Sequence, residues 1–303
     1  MKTHITLLCA LGLGVSTTPG ADKASFDDNE GSQLTIVDPA GKPVLRYEYA
    51  HKLDDAGKVT FDTAKVFHHV LGPGGEPITK GPGGKYPHHR GIFIGWNKLK
   101  HGGKSHDLWH VRNTTLKHVS FVKQEADEKS ATVTSRIDWI GTEGTPVLEE
   151  TRTLTTHFTD GDAYALIDFI SELKAAHGAV ELGGDPEHAG IHFRPSQEVV
   201  ANKSAKYTFH GDDISPQKNP GLPWVAMTFE AGGKTWTVQH MSHPDNPDGS
   251  RWSAYRDYGR FGEFPVIKLA DGETATLRYR FRVTEGAAPQ RPKLADAYSA
   301  FAK

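Results

Sequence analysis

The sequence has one cysteine, Cys9, among 303 residues. Because Cys9 lies in an N-terminal stretch that we expect to be removed, the mature chain would have no disulfide bond, thiolate metal ligand or cysteine nucleophile. Long runs of one charge are also absent, since 35 Lys and Arg residues balance 37 Asp and Glu residues for a formal net charge of -2. Such a balance leaves no basic surface for phosphates, so we expect no nucleic-acid partner.

The chain begins with MKTHITLLCALGLGVSTTPGA, in which one apolar run extends from Ile5 to Val15. A basic start, a short apolar run and small residues near position 21 are typical of a signal peptide. The run is too short for a comfortable membrane span. We predict a signal peptide over residues 1–21, export to the periplasm or the outside, and no membrane span in the mature chain.

Apolar and polar residues alternate in QLTIVD, VLRYEYA, ATVTSRIDWI, EETRTLTTHF, YALIDFISEL, WVAMTFE, KTWTVQHM and ATLRYRFRVTEG. Such segments, separated by turns rich in Gly and Pro, predict β-strands. Because amphipathic helical patterns are scarce, we predict an all-β fold, a large antiparallel β-sandwich formed by a single domain over residues 22–303. A short C-terminal helix is expected in PKLADAYSAFAK. Two smaller domains divided near residues 178–186 are the alternative.

Histidines are concentrated in KYPHHRGIFIGWNKLKHGGKSHDLWH, residues 85–110. His88 and His89 would diverge in a strand, whereas in a loop before the strand both could reach one ligand. In SHDLWH, His106 and His110 fall on one side in either an extended or a helical conformation. On a strand they would be roughly 13 Å apart, too far to share a metal ion.

A second group of candidates lies in GGDPEHAGIHFRPS. In a strand His188, His192 and Arg194 would share one face, with Glu187 in the preceding loop. Because buried charge is costly unless it is paired, this face is better suited to a solvated cleft than to the core. A salt bridge between Arg194 and a carboxylate on a neighbouring strand is the structural alternative.

The segment WTVQHMSHPDNPDGSRWSAYRDYGRFGEFP starts as a strand and continues through many turn-forming residues. A loop of this length is typical of a binding loop. Flat rings and directional hydrogen-bonding groups suit the CH faces and hydroxyl rim of a sugar. In this segment the flat rings are those of Trp252, Tyr255, Tyr258 and Phe261. The hydrogen-bonding groups are those of Asp245, Asn246, Arg251 and Arg256.

The motifs YPHHRGIFIGW, HDLWH, GIHFRP and HPDNP resemble a bacterial family labelled PmoA-like, or methane oxygenase PmoA-like. The resemblance spans most of the mature chain. It carries over to His88, His89, Arg90, Trp109, His192, Arg194, His243 and Pro244. The label does not fit the residues as chemistry, because methane oxidation in the membrane would require transmembrane spans and a copper site built on an N-terminal histidine would require His at the mature start.

The closing segment LADGETATLRYRFRVTEG is similar to the last strands of the galactose-mutarotase-like β-supersandwich. This resemblance implies a fold that hosts aldose epimerases, polysaccharide lyases and glycosidase domains, with histidines, a carboxylate and arginines on a concave face. A shared fold does not by itself determine the function.

Our leading hypothesis is an exported carbohydrate-active enzyme, a lyase, epimerase or glycoside hydrolase, that acts on a sugar or an oligosaccharide. Imidazole exchanges protons near neutral pH, and arginine stabilises oxyanions. The predicted catalytic residues are His89 and His192 as an acid/base pair, Arg90 and Arg194 as anion stabilisers, and Glu187 as a carboxylate partner. The predicted sugar-binding residues are His88, Trp109, His243, Asn246 and Tyr258.

Other hypotheses stay open. The imidazoles could hold one divalent metal ion, such as zinc or copper. The metal-ligand candidates are His106, His110, His188 and His240. A non-catalytic carbohydrate-binding protein would use its aromatic residues and leave the histidines dispensable, and the histidines could also be purely structural.

Overall fold

The computed structural model describes residues 23–158, 161–185 and 187–303. Within these ranges the chain forms twenty strands and two α-helices. The first strands are β1 (Ser25–Asn29), β2 (Gln33–Val37), β3 (Pro43–Glu48), β4 (Phe67–Val70), β5 (Ile92–Trp96), β6 (Lys98–His101) and β7 (Lys104–His106). The next are β8 (Thr115–Ala126), β9 (Ser130–Ile140), β10 (Pro146–His157), β11 (Ala165–Lys174), β12 (Val180–Gly183) and β13 (Ala189–Phe193). The last are β14 (Lys206–Phe209), β15 (Trp224–Ala231), β16 (Lys234–Ser242), β17 (Arg251–Arg256), β18 (Arg260–Phe264), β19 (Ile267–Leu269) and β20 (Thr274–Glu285).

The strands form two eight-stranded sheets and one four-stranded sheet. The first sheet has the order β1-β2-β3-β4-β5-β13-β18-β17, and the second has the order β14-β15-β16-β20-β11-β10-β9-β8. The small sheet has the order β19-β12-β6-β7. Neighbouring strands pair antiparallel, as in β5 with β13 and β13 with β18. The predicted antiparallel β-sandwich is therefore confirmed.

The main core lies between the two large sheets. Phe193 of β13 packs against Phe229 of β15 and Phe281 of β20, with ring centroids 6.0 and 6.2 Å apart. Burying a side chain of this size contributes roughly 1.5–3 kcal/mol. Because successive side chains on a strand point to opposite faces, Phe93 and His192 point away from this core. That outward face of the first sheet is where the candidate site lies.

The helices are α1 (Glu198–Asn202) and α2 (Arg291–Phe301). The C-terminal helix α2 matches the predicted segment and has Pro292 in its first turn, where the missing amide hydrogen is tolerated. Its Leu294 packs against Trp224, Ala226 and Met241 of the second sheet. The predicted short C-terminal helix is confirmed, whereas the division into domains stays a prediction.

The sequence predicts one long loop after β16, and this prediction is wrong. Only residues 243–250 form a loop, and β17 and β18 then make a hairpin. Trp252 and Phe261 are fully buried, and Trp252 donates its Nε1–H to the Leu222 carbonyl oxygen at 3.2 Å. Alternation within short strands directs these two rings into the core, so they offer no flat face to a sugar.

Residues 1–22 lie outside the described residues, so the signal peptide over residues 1–21, the place of Cys9 and export all stay predictions. Among the helices that the structure describes, none is both long and apolar enough to cross a membrane.

Candidate functional site

The floor of the candidate site is a small group of aromatic rings on the outward face of the first sheet. Phe93 and His192 are paired neighbours on β5 and β13. Trp109 covers both, with its ring centroid 4.6 Å from Phe93 and 4.5 Å from His192. Phe67, Phe93 and Trp109 form an apolar cluster separate from the main core. We call this group, with His192, the floor.

Trp109 reaches the floor because residues 107–110 turn directly over β5. The Leu108 amide donates to the Trp96 carbonyl oxygen at 3.0 Å. A Cβ atom on Gly95 would lie 2.6 Å from the Leu108 carbonyl oxygen. Glycine at position 95 therefore permits the close approach of the two backbones.

Asp107 fixes the same turn and orients His110. Its Oδ1 accepts hydrogen bonds from the backbone amides of Trp109 at 3.2 Å and His110 at 2.8 Å. Its Oδ2 lies 2.9 Å from His110 Nδ1. The following residue, Val111, is buried at a φ of 53°. Such strain costs about 1–3 kcal/mol for a non-glycine residue and is typical of functional loops.

Four imidazoles from three stretches of the sequence lie together above the floor. The ring centroid of His88 is 4.4 Å from that of His89 and 4.6 Å from that of His110. The His110 and His188 centroids are 4.9 Å apart. We call His88, His89, His110 and His188 the imidazole cluster. The structure thus brings together two of the four metal-ligand candidates and two predicted site residues.

Two rings of the cluster are oriented by carboxylates. His188 Nδ1 lies 2.8 Å from Asp185 Oδ1, as His110 Nδ1 lies near Asp107. Because an ionised carboxylate only accepts hydrogen bonds, each Nδ1 carries the proton. In the neutral rings the lone pair is consequently on Nε2.

Burial and nearby cations keep the other two rings of the cluster neutral. Burial, followed by the charge of Lys65, lowers the pKa of His88 to about 2. Burial and the charge of Arg194 lower the pKa of His89 well below its usual range. Tyr86 stacks between His89 and Tyr258, with both centroid distances at 5.1 Å. Tyr258 therefore lies beside the imidazole cluster, and its contact with a sugar stays a prediction.

His192 is fully buried and has a defined tautomer. Its Nε2 lies 3.0 Å from the Ala189 carbonyl oxygen, so Nε2 carries the proton and Nδ1 the lone pair. Nδ1 has no hydrogen-bond partner among the described residues. Burial and the charge of Arg194 lower the pKa of His192 well below its usual range. A Cβ atom on Gly262 of β18 would lie 2.4 Å from this ring, so glycine there leaves room for it.

Arg194 follows β13 and is 2% exposed. Its Nε, Nη1 and Nη2 have no hydrogen-bond partner in the part of the chain that the structure describes, and the same holds for Trp109 Nε1. Arg194 Cζ lies 5.9 Å from the Trp109 ring centroid. Burial and the nearby charge of Arg260 lower the pKa of Arg194 to about 9, which leaves the guanidinium charged at neutral pH. A buried charge without a partner indicates that an acceptor is missing.

Glu187 is bound by three other side chains. It forms an ion pair with Arg260, accepts a hydrogen bond from the Tyr255 hydroxyl, and accepts another from Arg256 Nη2 at 3.0 Å. Burial alone would raise its pKa, but these hydrogen bonds outweigh it and lower the pKa to about 2. Glu187 is therefore an ionised partner of Arg260.

Arg90 is buried, and its guanidinium is occupied by backbone. It donates to the carbonyl oxygens of Pro87, His89 and Phe61. These contacts hold the loop that carries His88 and His89. The geometry gives Arg90 a positioning contact and does not support the anion contact that the sequence predicts.

His106 and His240 are not brought to the imidazole cluster. His106 ends β7 and accepts a hydrogen bond from the Thr142 amide at 3.1 Å. His240 lies in the main core, where its centroid is 4.5 Å from Phe281 and 4.8 Å from Trp252. Burial lowers the pKa of His240 to about 3. Within the described structure no ring contact joins either histidine to the cluster.

His243 and Asn246 lie in the loop 243–250, beside the C-terminal helix. The His243 ring packs on Phe301 at 5.3 Å. Asn246 donates to the Arg278 carbonyl oxygen at 2.8 Å and accepts from the Arg278 amide at 2.7 Å. Both residues border a separate hollow of about 140 Å³. The structure places them apart from the imidazoles, so the predicted common sugar site does not include them.

Sequence reasoning missed Lys65 and Arg260. Lys65 is buried, donates to the Trp109 carbonyl oxygen, and has its Nζ 4.2 Å from the Phe93 centroid. A lone lysine gives no signal in one sequence. Arg260 could have been found, because it alternates with Gly262 on a strand whose Phe261 is core.

Two further features bear on where a ligand binds. A hollow of about 400 Å³ lies against the small sheet, lined by residues that include Lys100, Glu181 and Lys268. It is an open surface with an exposed ion pair. We therefore place the site at the imidazole cluster, where several buried polar atoms have no partner within the described part of the chain. Among the described residues no group of three or more His, Cys, Asp or Glu side chains is arranged to hold a metal ion.

Comparison with family models matches residues 35–299 to the family of unknown function DUF6807. The chain belongs to this family. The match includes every residue of the floor and of the imidazole cluster. The comparisons give no support for a PmoA-like assignment. A search of curated proteins found no match.

Solved structures with some likeness come from several carbohydrate-active proteins. A protein assigned as an aldose 1-epimerase from Escherichia coli K12 has 11% identity and a TM-score of 0.34, over 84% of this chain and 97% of that one. A heparan sulfate lyase HepC mutant from Pedobacter heparinus has 10% identity and a TM-score of 0.34, over 90% of this chain and 37% of that one. An alpha-galactosidase from Lactobacillus brevis has 9% identity and a TM-score of 0.38, over 88% of this chain and 39% of that one. None of these relations bears on the activity of this chain.

Proposed function

We propose that the chain is an exported carbohydrate-active enzyme that moves a proton at a sugar carbon, as an epimerase or a lyase does, on a galactose-mutarotase-like sandwich. One observation carries the proposal: at the floor, His192 Nδ1, Trp109 Nε1 and the nitrogens of the adjacent Arg194 have no hydrogen-bond partner among the described residues. Proton abstraction beside a carbonyl group requires a base and donors that stabilise the oxyanion formed.

His192 is suited to accept the proton. Its Nε2–H is committed to the Ala189 carbonyl oxygen, so Nδ1 is the ring atom that can act as a base. Residues 192 and 194 are two apart on extended backbone, which puts their side chains on one face roughly 6.6 Å apart. A bound anion would offset the charge of Arg194 and so raise the pKa of His192 toward the working pH.

His89 is suited to be the second member of the predicted acid/base pair. It is buried and neutral, and the charge of Arg194 acts on its pKa as it does on that of His192. Both imidazoles are therefore close to the same guanidinium. His192 takes the proton from carbon, and the neutral His89 ring relays one to the opposite face, accepting a proton from solvent at one nitrogen as it gives up the proton of the other, which would complete an epimerisation.

The carboxylates favour an epimerase or a lyase over a glycoside hydrolase. Most hydrolases need a carboxylic acid with a raised pKa and a second carboxylate across the bond that is cleaved. Glu187 is held ionised by Arg260 and Tyr255, and its pKa is about 2. Asp107 and Asp185 are each bound to an imidazole.

Solvent deuterium exchange tests the proposal. The protein is incubated with sugars in D2O, and proton NMR follows loss of one C–H signal or appearance of an unsaturated product. We expect His192→Gln to be slower by about 100-fold or more, the usual contribution of a general base.

His157→Gln is a matched control, because His157 pairs with Asp168 on the second sheet, away from the floor. We expect this variant to exchange at the wild-type rate. Full activity of His192→Gln would overturn the proposal, and so would hydrolysis without any exchange at carbon.

A metal-dependent enzyme is the second candidate, and the His–Asp contacts favour it. Carboxylates that bind Nδ1 of His110 and His188 leave Nε2 of both rings available, an arrangement common behind metal ligands. Metal analysis by mass spectrometry of untagged protein, purified without chelator, tests this candidate. Stoichiometric zinc or copper that is lost in His110→Gln would support it, whereas absence of metal and of any metal-induced rise in Tm would remove it.

Export is tested separately. N-terminal sequencing of the protein recovered outside the cytoplasm should show a start near residue 22. Retention of residues 1–21 in the recovered protein would contradict the signal peptide.

A further inference from the structure

We infer that the substrate of this site is an acidic sugar, a uronate, whose carboxylate binds Arg194. The sugar ring in this inference rests on the proposed function, whereas the carboxylate follows from Arg194 itself. Arg194 presents five N–H donors, and no described residue accepts from any of its nitrogens. Almost all buried polar groups in proteins have partners, so the acceptor must come from a ligand or from bound water.

The other buried arginines each have at least one partner among the described residues, although some of their nitrogens also lack a hydrogen bond. Arg152 donates from Nε and Nη2 to the two oxygens of Glu150, both at 2.8 Å. Arg260 forms an ion pair with Glu187, and Arg90 donates to carbonyl oxygens. Arg194 differs from all three in having no partner among the described residues.

The donors around Arg194 select a planar monoanion. A guanidinium matches a carboxylate with two parallel hydrogen bonds, and Trp109 Nε1–H adds a further donor. The neighbouring cations are already engaged, since Arg260 pairs with Glu187 and Lys65 donates to the Trp109 carbonyl oxygen. Among the described residues that surround Trp109, Arg194 is the cation without an acceptor, and beside the ionised Glu187 it suits one negative charge better than the two of a phosphate.

Flat rings lie where the sugar ring would sit. Tyr86 and Tyr258 stack on each other and are half-buried at the surface beside His88 and His89. Apolar CH faces of a sugar can pack on such rings while its carboxylate reaches inward. Tyr86 has a φ of 59°, and Gly83 and Gly84 shortly before it also have positive φ values, so the segment that carries this ring is conformationally unusual.

A carboxylate on Arg194 also defines the proton that His192 takes. The hydrogen on C5 of a uronate is next to the carboxylate, and it would move to His192 Nδ1. The electron pair left on C5 moves into the carboxylate, whose two oxygens are held by the donors of Arg194. Protonation of C5 from the other face, by a proton that His89 relays from solvent, gives the epimer, and His192 then returns its proton to solvent. Departure of the O4 substituent with the proton that His192 took gives a 4,5-unsaturated sugar and leaves His192 neutral again.

Calorimetry and thermal unfolding with matched ligands test the inference. The probes are D-galacturonate and D-glucuronate, each as monosaccharide and oligosaccharide, with the methyl ester of galacturonate and D-galactose as uncharged counterparts. We expect the uronates to bind and raise Tm, and the uncharged probes to bind at least about 10-fold more weakly. In Arg194→Met we expect uronate affinity to fall by about 10- to 100-fold, to the level of the methyl ester.

The exposed Arg136 on β9 provides the matched control, since Arg136→Met removes an equal charge from the second sheet. This variant should bind uronates like the wild type. Equal binding of galacturonate and its methyl ester, unchanged uronate affinity in Arg194→Met, or no binding of any uronate would each overturn the inference. A larger Arg194-dependent effect of sulfate than of uronate would also overturn it.

The proposed function can fail independently. If wild type and His192→Gln bind uronates alike and neither exchanges C5–H for deuterium, the carboxylate site stands and the catalytic proposal fails. If hydrogen at carbon exchanges for deuterium in neutral sugars alone, the catalytic proposal stands and the inference of a uronate substrate is wrong.

Discussion

Two buried arginines in this molecule have opposite surroundings. Arg152 of β10 is bound by Glu150, which also accepts hydrogen bonds from Trp139 Nε1 at 2.9 Å and from the Ser171 hydroxyl at 2.8 Å. Arg194 is equally buried, and no described residue accepts from it. The first charge is part of a network that the chain supplies, whereas for the second we propose an acceptor from a ligand. A buried charge thus marks a binding site only where the chain leaves it incomplete.

Removing the arginine that is paired with Glu150 should have the largest effect on stability. Arg152→Met leaves Glu150 as a buried carboxylate without its cation, and we expect a loss of about 3–5 kcal/mol in the free energy of unfolding. Urea unfolding followed by circular dichroism measures it. The double variant Glu150→Gln/Arg152→Met should recover part of the loss, and a loss below about 1 kcal/mol in the single variant would contradict this view of the network.

Glu263 extends the comparison to a buried carboxyl group. Ser242 donates to its Oε1 at 3.0 Å, and its Oε2 has no partner among the described residues. Burial raises its pKa to about 7 from 4.5. The pKa of Glu263 is higher in the folded state than in the unfolded state. Its contribution to the stability of the fold is therefore complete below pH 4.5 and is lost as the pH rises through about 7.

In the wild type the free energy of unfolding should fall by about 3 kcal/mol as Glu263 ionises, given 1.36 kcal/mol per pKa unit, and Glu263→Gln should remove this fall. We expect the variant to be more stable than the wild type by that amount at pH 8 and equally stable at pH 4. Unfolding free energies measured across this pH range test the prediction, and parallel curves for the two proteins would refute it.

Removing the incomplete charge should have a smaller effect of opposite sign. Arg194→Met replaces a buried cation that has no acceptor among the described residues by an apolar side chain of similar length. We expect the free energy of unfolding of the ligand-free protein to rise by about 2 kcal/mol. The gain appears as a higher Tm in thermal unfolding, with Arg136→Met close to the wild type. A marked loss of stability in Arg194→Met would mean that the chain already satisfies this arginine.

The smallest effect on stability is expected for an arginine that is exposed to solvent. Arg256 shares Glu187 with Arg260 and Tyr255, and its side chain is 48% exposed. Arg256→Met should cost less than about 1 kcal/mol, because solvent screens such pairs and Glu187 keeps its other partners. Urea unfolding measures this cost, and a larger value would show that Arg256 is needed to hold Glu187.

The fold could be predicted from the sequence because the alternation of apolar and polar residues in a strand is visible within a short segment. Segments such as ATVTSRIDWI and KTWTVQHM became β9 and β16 nearly as predicted. The hairpin β17-β18 was missed because Asp, Gly and Arg within RWSAYRDYGRFGEF resemble a loop. Its buried Trp252 and Phe261 follow from contacts with the second sheet, which no local pattern encodes.

The candidate site was accessible only in part. The sequence singled out His88, His192 and Arg194, which do meet near Trp109, because imidazole and guanidinium groups are unusual beside strands. It also singled out His240, which packs among the aromatic rings of the core. The sequence alone does not distinguish a buried structural histidine from a histidine of a functional site. Lys65 was missed, since its place over Phe93 depends on tertiary packing alone.

The hydrogen bond from His192 Nε2 to the Ala189 carbonyl oxygen has a spectroscopic consequence. It gives the two ring nitrogens fixed and different protonation states, and such nitrogens resonate far apart in 15N spectra. The Nδ1 resonance of His192 is thus a built-in reporter for the neighbouring guanidinium. An anion that settles on Arg194 would move this resonance without any label on the ligand, so occupancy could be followed in the intact protein even for a substrate that turns over slowly.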